Sequence, residues 1–220
     1  MTDLTYAWAG ELASVLDPLD AAWGPATGPR QSAVVALVSQ SATPDLVLTL
    51  RAAGLAFHGG QVSLPGGGRE AGDGSPWATA RRETGEEIGL AGNRVTPLGK
   101  LRTREVQASD NRVVSMVGVW PGEDDLYPRD LAEVAAVGRW PVAGLADPAC
   151  RVTVRHPGGG LAPAFDLGDW FMWGFTAWVV DNLLTAGGWA RQWDEDRIVE
   201  IPARFLGIRR LYTGGRSRVR

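Results

Sequence analysis

Two apolar, β-branched runs lie near the start of the chain, at Ser32–Gln40 and Asp45–Arg51. The turn-like segment "SATP" lies between them. Runs of this length and composition, joined by a short turn, predict a β-hairpin. The glycine-rich stretch 54–75 that follows predicts a long loop holding one short extended segment, Gln61–Leu64.

The rest of the pattern predicts two helices, at Leu12–Leu19 and Trp170–Leu184, and further strands. The strands are expected at Val95–Thr103, Val113–Trp120, Val152–His156 and, with more mixed polarity, Leu131–Pro141. Because the strands do not alternate regularly with helices, the pattern indicates an α+β fold with a mixed sheet rather than a doubly wound one.

A third helix is predicted from its end signals at residues 76–88. Ser75 is a good N-cap, Pro76 suits the first helical position, and Gly89 is a good stop. At 100° per residue, one stripe of this helix is suited to face the core. Its members are Trp77, Ala80, Thr84 and Ile88.

Composition narrows the class of protein. The 220 residues are 45% hydrophobic, which suits one large domain. A net charge of -3 argues against a nucleic-acid partner, since phosphate contacts demand a basic surplus. A single cysteine, Cys150, excludes an internal disulfide or a cysteine zinc cluster and favours a reducing cytoplasm.

No N-terminal secretory signal is expected, because no basic stretch there precedes an apolar one. The most apolar run, Trp170–Val180, is shorter than the roughly 20 residues that cross a bilayer, so no membrane span is expected. Tryptophans crowd this part of the chain. They could pack in the core or form a homodimer interface.

The third helix carries three glutamates on one side. Glu83 and Glu87 are four residues apart, with Glu86 beside them. Like charges at this spacing destabilise a helix, although Arg82 could relieve part of the repulsion. One interpretation is a solvated acidic face. However, Gly85 in mid-helix and the glycine-rich loop upstream favour an oxygen-rich site for Mg²⁺ or Mn²⁺.

The segment "PGGGREAGDGSPWATARRETGEEIGL" resembles the signature of the Nudix hydrolases. Its second half matches at Arg82, Glu83, Glu86, Glu87, Gly89 and Leu90. Its first half departs from the signature: strict spacing places Gly74 where an acid is expected, whereas one extra residue aligns Asp73. The resemblance implies a Nudix-type α/β/α sandwich with a mixed central β-sheet.

Further segments resemble the coenzyme A diphosphatase branch of that family. They are "LVLTLRAAGLAFHGGQVSLPGG", "YPRDLAEVAAVGRWPVAGLAD" and "WFMWGFTAWVVDNLL". The resemblance implies that substrate-binding residues are Arg51, His58, Gln61, Gly66 and Gly67. Taken alone, His58 and Gln61 could equally be partners within their own loop, and Arg51 an exposed strand end.

The implied reaction splits coenzyme A into 3',5'-ADP and 4'-phosphopantetheine. We expect Glu83 and Glu87 to be the main metal ligands, with Glu86 as the third and the Gly67 carbonyl as a further donor. Arg82 is expected to orient a glutamate. The general base stays open between these glutamates and a loop carboxylate such as Glu133.

Two other functions remain open. One is hydrolysis of ADP-ribose, NADH, a nucleotide sugar or a nucleoside triphosphate, and the other is a Nudix-fold module that binds a nucleotide without cleaving it. In either case the partner is a small nucleoside diphosphate derivative. The expected organisation is a helical extension at 1–30, the Nudix domain at 31–204 and a basic tail at 205–220.

Overall fold

The computed structural model describes residues 4–24, 30–106 and 111–206. Its helices are α1 Ala7–Val15, α2 Pro76–Ile88, α3 Val142–Leu145 and α4 Gly174–Ala186. Its strands are β1 Arg30–Ser39, β2 Asp45–Arg51, β3 Val62–Ser63, β4 Gly66–Gly68, β5 Thr96–Lys100, β6 Arg104–Val106, β7 Asn111–Trp120, β8 Val134–Pro141, β9 Arg151–Arg155, β10 Leu161–Asp166, β11 Phe171–Met172 and β12 Ile198–Val199.

A mixed sheet of eight strands forms the centre of the described chain. Strands β3, β2, β1, β7 and β5 lie side by side in that order, while β4 pairs with β1, β6 with β7, and β8 with β2. The predicted hairpin is confirmed, since β1 and β2 are antiparallel. Strands β1 and β7 are parallel along their whole length.

Strand β1 is buried on both faces, which explains its nearly continuous apolar sequence. Val35 and Leu37 pack with Ala80 and Ile88 of α2 on one face. Alternate β1 residues face the opposite core, to which α1 contributes Leu12 and α4 contributes its buried side. Helices therefore cover both faces of the sheet, as the predicted α/β/α sandwich requires.

A second sheet was largely missed by the sequence pattern. It contains β11, β10, β9 and β12 in that order, and only β9 was predicted. Strand β10 contains Pro163, and β11 and β12 have two residues each, so none of them has a strong strand signal.

The predicted bounds of two helices are wrong. Helix α1 runs from Ala7 to Val15, not from Leu12 to Leu19. Pro18 disfavours helix at Asp17, whose backbone instead forms a bridge with Lys100. The apolar run from Trp170 begins as β11, and α4 starts only at Gly174, which has a φ of 63°. None of the helices in the described ranges is long and apolar enough to span a membrane.

Candidate metal and diphosphate site

Helix α2 forms as its end signals predict. Ser75 Oγ accepts a hydrogen bond from Ala78 N at 3.2 Å, and Gly89 ends the helix in the left-handed region at a φ of 77°. Ala80, Thr84 and Ile88 are buried, and Trp77 is partly buried against the same core. This fixed stripe determines which way the glutamates between its members project.

Glu87 projects into the protein and is only 3% exposed. Its Oε2 accepts a hydrogen bond from Gly66 N at 2.9 Å, and its Oε1 lies 3.9 Å from Arg51 Nη1. Burial raises the pKa of Glu87 to about 7, because these two partners only partly replace the lost water. A buried carboxylate with so little positive charge nearby is suited to accept a cation.

Glu83 lies against the backbone of the glycine loop. A Cβ on Gly67 would overlap the Glu83 carboxylate, so only glycine allows this approach. Burial raises the pKa of Glu83, although Arg82 Nη2 lies 3.0 Å from its Oε1. Gly66, at a φ of 148°, likewise has no room for a side chain next to Val34.

Arg82 joins several of the acidic groups. Its Nη1 lies 2.7 Å from Glu86 Oε2, and its Nη2 donates to the Gly68 carbonyl at 2.8 Å. Glu86 is the outermost of the three glutamates, with 58% of its side chain exposed. Arg82 therefore ties α2 to the glycine loop, and these contacts are those of an orienting residue.

Asp73 is the buried partner of Arg82. Its Oδ2 accepts hydrogen bonds from Thr79 Oγ1 at 2.9 Å, Glu70 N at 2.9 Å and Arg82 Nη2 at 3.0 Å. Burial alone would raise the pKa of Asp73, but these hydrogen bonds hold it below its ordinary value. Of the two positions that the motif spacing left open, Asp73 is therefore the one with a carboxylate that contacts α2.

His58 and Gln61 bind each other. His58 Nδ1 donates to Gln61 Oε1 at 2.9 Å, and Gln61 Nε2 donates to the Leu206 carbonyl at 3.4 Å. Burial keeps the pKa of His58 below its ordinary value, which favours the neutral imidazole. The backbone of Gly60 and Gln61 pairs with Arg51, which places this loop beside the glutamates.

A fourth carboxylate comes from the loop before β8. The Glu133 carbonyl accepts a hydrogen bond from Ala52 N at 2.8 Å. Burial is the main cause of the raised pKa values of Glu83 and Glu87, and the negative charge of Glu133 also contributes to them. Glu133 therefore lies within electrostatic reach of both.

The part of the chain that contains this site matches a known family. Residues 29–149 match the model of the NUDIX domain, which covers more than half of the chain. This chain belongs to the Nudix hydrolase family. Nudix hydrolases act on diphosphates of nucleoside derivatives, generally with divalent cations, and α2 is the Nudix helix of this chain.

Proteins similar to this chain over more than two thirds of its length are named as Nudix hydrolases too. NudL of Citrobacter koseri, an uncharacterized Nudix hydrolase, is 32% identical over 165 residues, or 70% of this chain and 81% of that protein. NudL of Escherichia coli strain K12 is 31% identical with the same coverage. A MutT/nudix protein from Enterococcus faecalis has a solved structure with a TM-score of 0.46, 18% identity, and coverage of 74% of this chain and 62% of that one.

The Nudix helix and its loop offer oxygen donors to a cation. Glu83, Glu87 and the adjoining backbone of Gly67 form a donor set of the kind that Mg²⁺ and Mn²⁺ prefer. In the described part of the chain, no three His, Cys, Asp or Glu groups converge as they stand. Arg82 draws Glu83 and Glu86 toward itself, so a cation would have to compete with its guanidinium. The oxygen donors of these residues therefore suit Mg²⁺ or Mn²⁺.

Proposed function

We propose that this enzyme is a hydrolase, dependent on Mg²⁺ or Mn²⁺, of the diphosphate in coenzyme A or its derivatives. The products would be 3',5'-ADP and 4'-phosphopantetheine. The observation that carries the hydrolytic part is the buried Glu87 carboxylate, which contacts both Gly66 and Arg51 at the glycine loop. The sequence between Arg51 and Gly67, which resembles the coenzyme A diphosphatases, supports the choice of substrate.

Glu83 and Glu87 would hold the cation, with the Gly67 carbonyl as a backbone donor and Glu86 as the outer ligand. A cation bound there would neutralise the diphosphate and lower the pKa of a bound water. Arg82, itself held by Asp73, contacts Glu83, whereas Glu87 is held by the Gly66 N–H at the glycine loop. Arg51, which is 26% exposed beside Glu87, would bind a diphosphate oxygen.

The remaining task is proton removal from the attacking water. The water oxygen forms a bond to phosphorus while the bond to the bridging oxygen breaks, which leaves two monophosphates. We assign the water proton to Glu133, because it lies near Glu83 and Glu87 and is itself exposed. A carboxylate outside the ligand set is free to accept a proton.

Product analysis tests the proposed substrate directly. Coenzyme A is incubated with the protein and Mg²⁺, and the products are identified by mass spectrometry. We expect 3',5'-ADP and 4'-phosphopantetheine in equal amounts. The Glu83→Gln variant should be slower by orders of magnitude, which controls for a contaminating hydrolase.

A panel of other diphosphates completes the test. ADP-ribose, NADH, a nucleotide sugar and a nucleoside triphosphate are assayed beside coenzyme A. If one of these compounds is cleaved faster than coenzyme A, that compound replaces coenzyme A as the proposed substrate. If Mg²⁺ binds and nothing in the panel is cleaved, a nucleotide-binding module would replace the enzyme.

A further inference from the structure

Phe57 is an exposed aromatic residue beside the site. It is 41% exposed, although a phenylalanine has no polar group to place in water. The Arg30 guanidinium carbon lies 5.6 Å from the centre of the Phe57 ring, in a cation–π arrangement. Arg30 is itself exposed. The pair therefore presents an aromatic ring and a planar cation together at the surface.

The loop that carries Phe57 has a tightly specified backbone. His58 has a φ of 57°, which is uncommon for a residue with a side chain, and Gly60 has a φ of 75°. A Cβ on Gly59 would lie 2.7 Å from the Ala53 carbonyl oxygen, so the turn is closed around that glycine. Gly60 N donates to the Arg51 carbonyl at 3.1 Å. The position of Phe57 is thus built into the loop.

Strand pairing and chain connection bring the Phe57–Arg30 pair close to the glycine loop. In the pairing of β1 with β4, Ser32 is opposite Gly68, and Arg30 is two residues further along β1. Two residues of strand span about 7 Å. The loop that bears Phe57 begins directly after Arg51, which neighbours Glu87. A nucleotide with its diphosphate at the glutamates could therefore extend toward the pair.

We propose that Phe57 and Arg30 form the platform that binds the base of the substrate's nucleotide part. This inference rests on the proposed function and adds a specificity element to it. A planar base stacks on an aromatic ring, and a guanidinium stacks on planar π systems as well. The platform makes a nucleoside diphosphate a better ligand than a diphosphate without a base.

Calorimetric binding in the presence of Mg²⁺ tests the platform without requiring turnover. The two probes are adenosine 5'-diphosphate and methylenediphosphonate, a diphosphate analogue that has no base. We expect Phe57→Leu to weaken binding of adenosine 5'-diphosphate about tenfold or more and to leave methylenediphosphonate unchanged. Phe57→Tyr, which keeps the ring, should bind both probes as the wild type does.

Arg30→Gln provides a second variant and should weaken the nucleotide more than the base-free probe. Leu161→Ala, at an exposed apolar residue on the second sheet, is the matched control and should change neither affinity. Equal weakening of both probes by Phe57→Leu, or no weakening of either, would overturn the platform. Wild-type protein that does not bind adenosine 5'-diphosphate would overturn it too.

The outcome is separable from that of the proposed function. If coenzyme A is not cleaved but Phe57→Leu weakens only the nucleotide, the platform stands and the substrate is another nucleotide. If coenzyme A is cleaved and Phe57→Leu binds both probes normally, the base is bound elsewhere and the platform is wrong.

Discussion

At the scale of single residues, Glu87 connects stability with function. Its pKa in the folded protein is raised from 4.5 to about 7 by burial, so the metal-free native state holds its proton more tightly than the unfolded chain does. The stability that this proton supports is present below pH 4.5. It is lost as the pH rises through 7, where the native state must bury a charge.

Glu87→Gln should therefore stabilise the metal-free protein at pH 8, by on the order of 2 kcal/mol, and should have little effect near pH 5. Urea unfolding with a chelator at both pH values measures the difference. Added Mg²⁺ should stabilise the wild type more than the variant, because the cation binds Glu87. A stability difference that does not change with pH would contradict this account.

Glu133→Gln tests the assignment of the general base. The variant should lose about 10²–10⁴-fold in kcat, since it can no longer accept the proton. Its affinity for Mn²⁺ should stay near that of the wild type, because Glu133 lies outside the proposed ligand set. Wild-type turnover in this variant would return the role of base to one of the helix glutamates.

At the scale of elements, Gly85 of the Nudix helix is a glycine that its surroundings do not require. A Cβ on Gly85 would have the Leu90 carbonyl oxygen as its nearest neighbour, at the ordinary contact distance of 3.7 Å. An alanine therefore fits there, and glycine costs a helix interior up to about 1 kcal/mol.

Gly85→Ala should raise the free energy of unfolding by about 0.5–1 kcal/mol with activity retained. Thermal unfolding and a coenzyme A assay measure the two quantities. Gly67→Ala is the opposing control and should abolish activity, because its Cβ would displace the Glu83 carboxylate. A destabilised Gly85→Ala protein would indicate that this glycine has a role that its surroundings do not show.

Whether the bounds of an element can be predicted from the sequence depends on whether the residues that fix them are neighbours in the chain. Both ends of α2 could be predicted, because Ser75 and Gly89 act through neighbours in the chain. The boundary between β11 and α4 could not, since a two-residue strand is formed by its pairing with β10. The motif spacing left the role of Asp73 open. It became clear only from the hydrogen bonds to Thr79 and Arg82.

At the scale of the whole molecule, the part of the chain beyond the matched Nudix domain supports the site. Thr176 Oγ1 on α4 donates to the Val62 carbonyl at 3.0 Å, just after the His58–Gln61 loop. Trp173 Nε1 donates to the Phe205 carbonyl at 2.8 Å, and Leu206 accepts a hydrogen bond from Gln61. No sequence pattern predicts a contact between residues so far apart in the chain. Beyond Leu206, the predicted basic tail lies outside the described residues.

Phe205→Ala tests this support. Phe205 is buried next to Phe171, so the truncation should cost about 3 kcal/mol of stability. It should also raise KM for coenzyme A more than it lowers kcat, because the Gln61 loop would lose the support of the segment that it contacts. Leu206→Ala, which keeps the backbone carbonyl that Gln61 contacts, is the control and should have a smaller effect on both. An unchanged KM at a temperature where the variant is folded would limit the segment to a structural role.

The central claim is that Glu83 and Glu87 hold a divalent cation at the glycine loop. Anomalous diffraction from crystals grown with Mn²⁺ tests it most directly. The account predicts an anomalous peak bonded to carboxylate oxygens of both residues. A crystal with no peak there, in which Glu87 still accepts only the Gly66 hydrogen bond and Glu83 still pairs with Arg82, would contradict it.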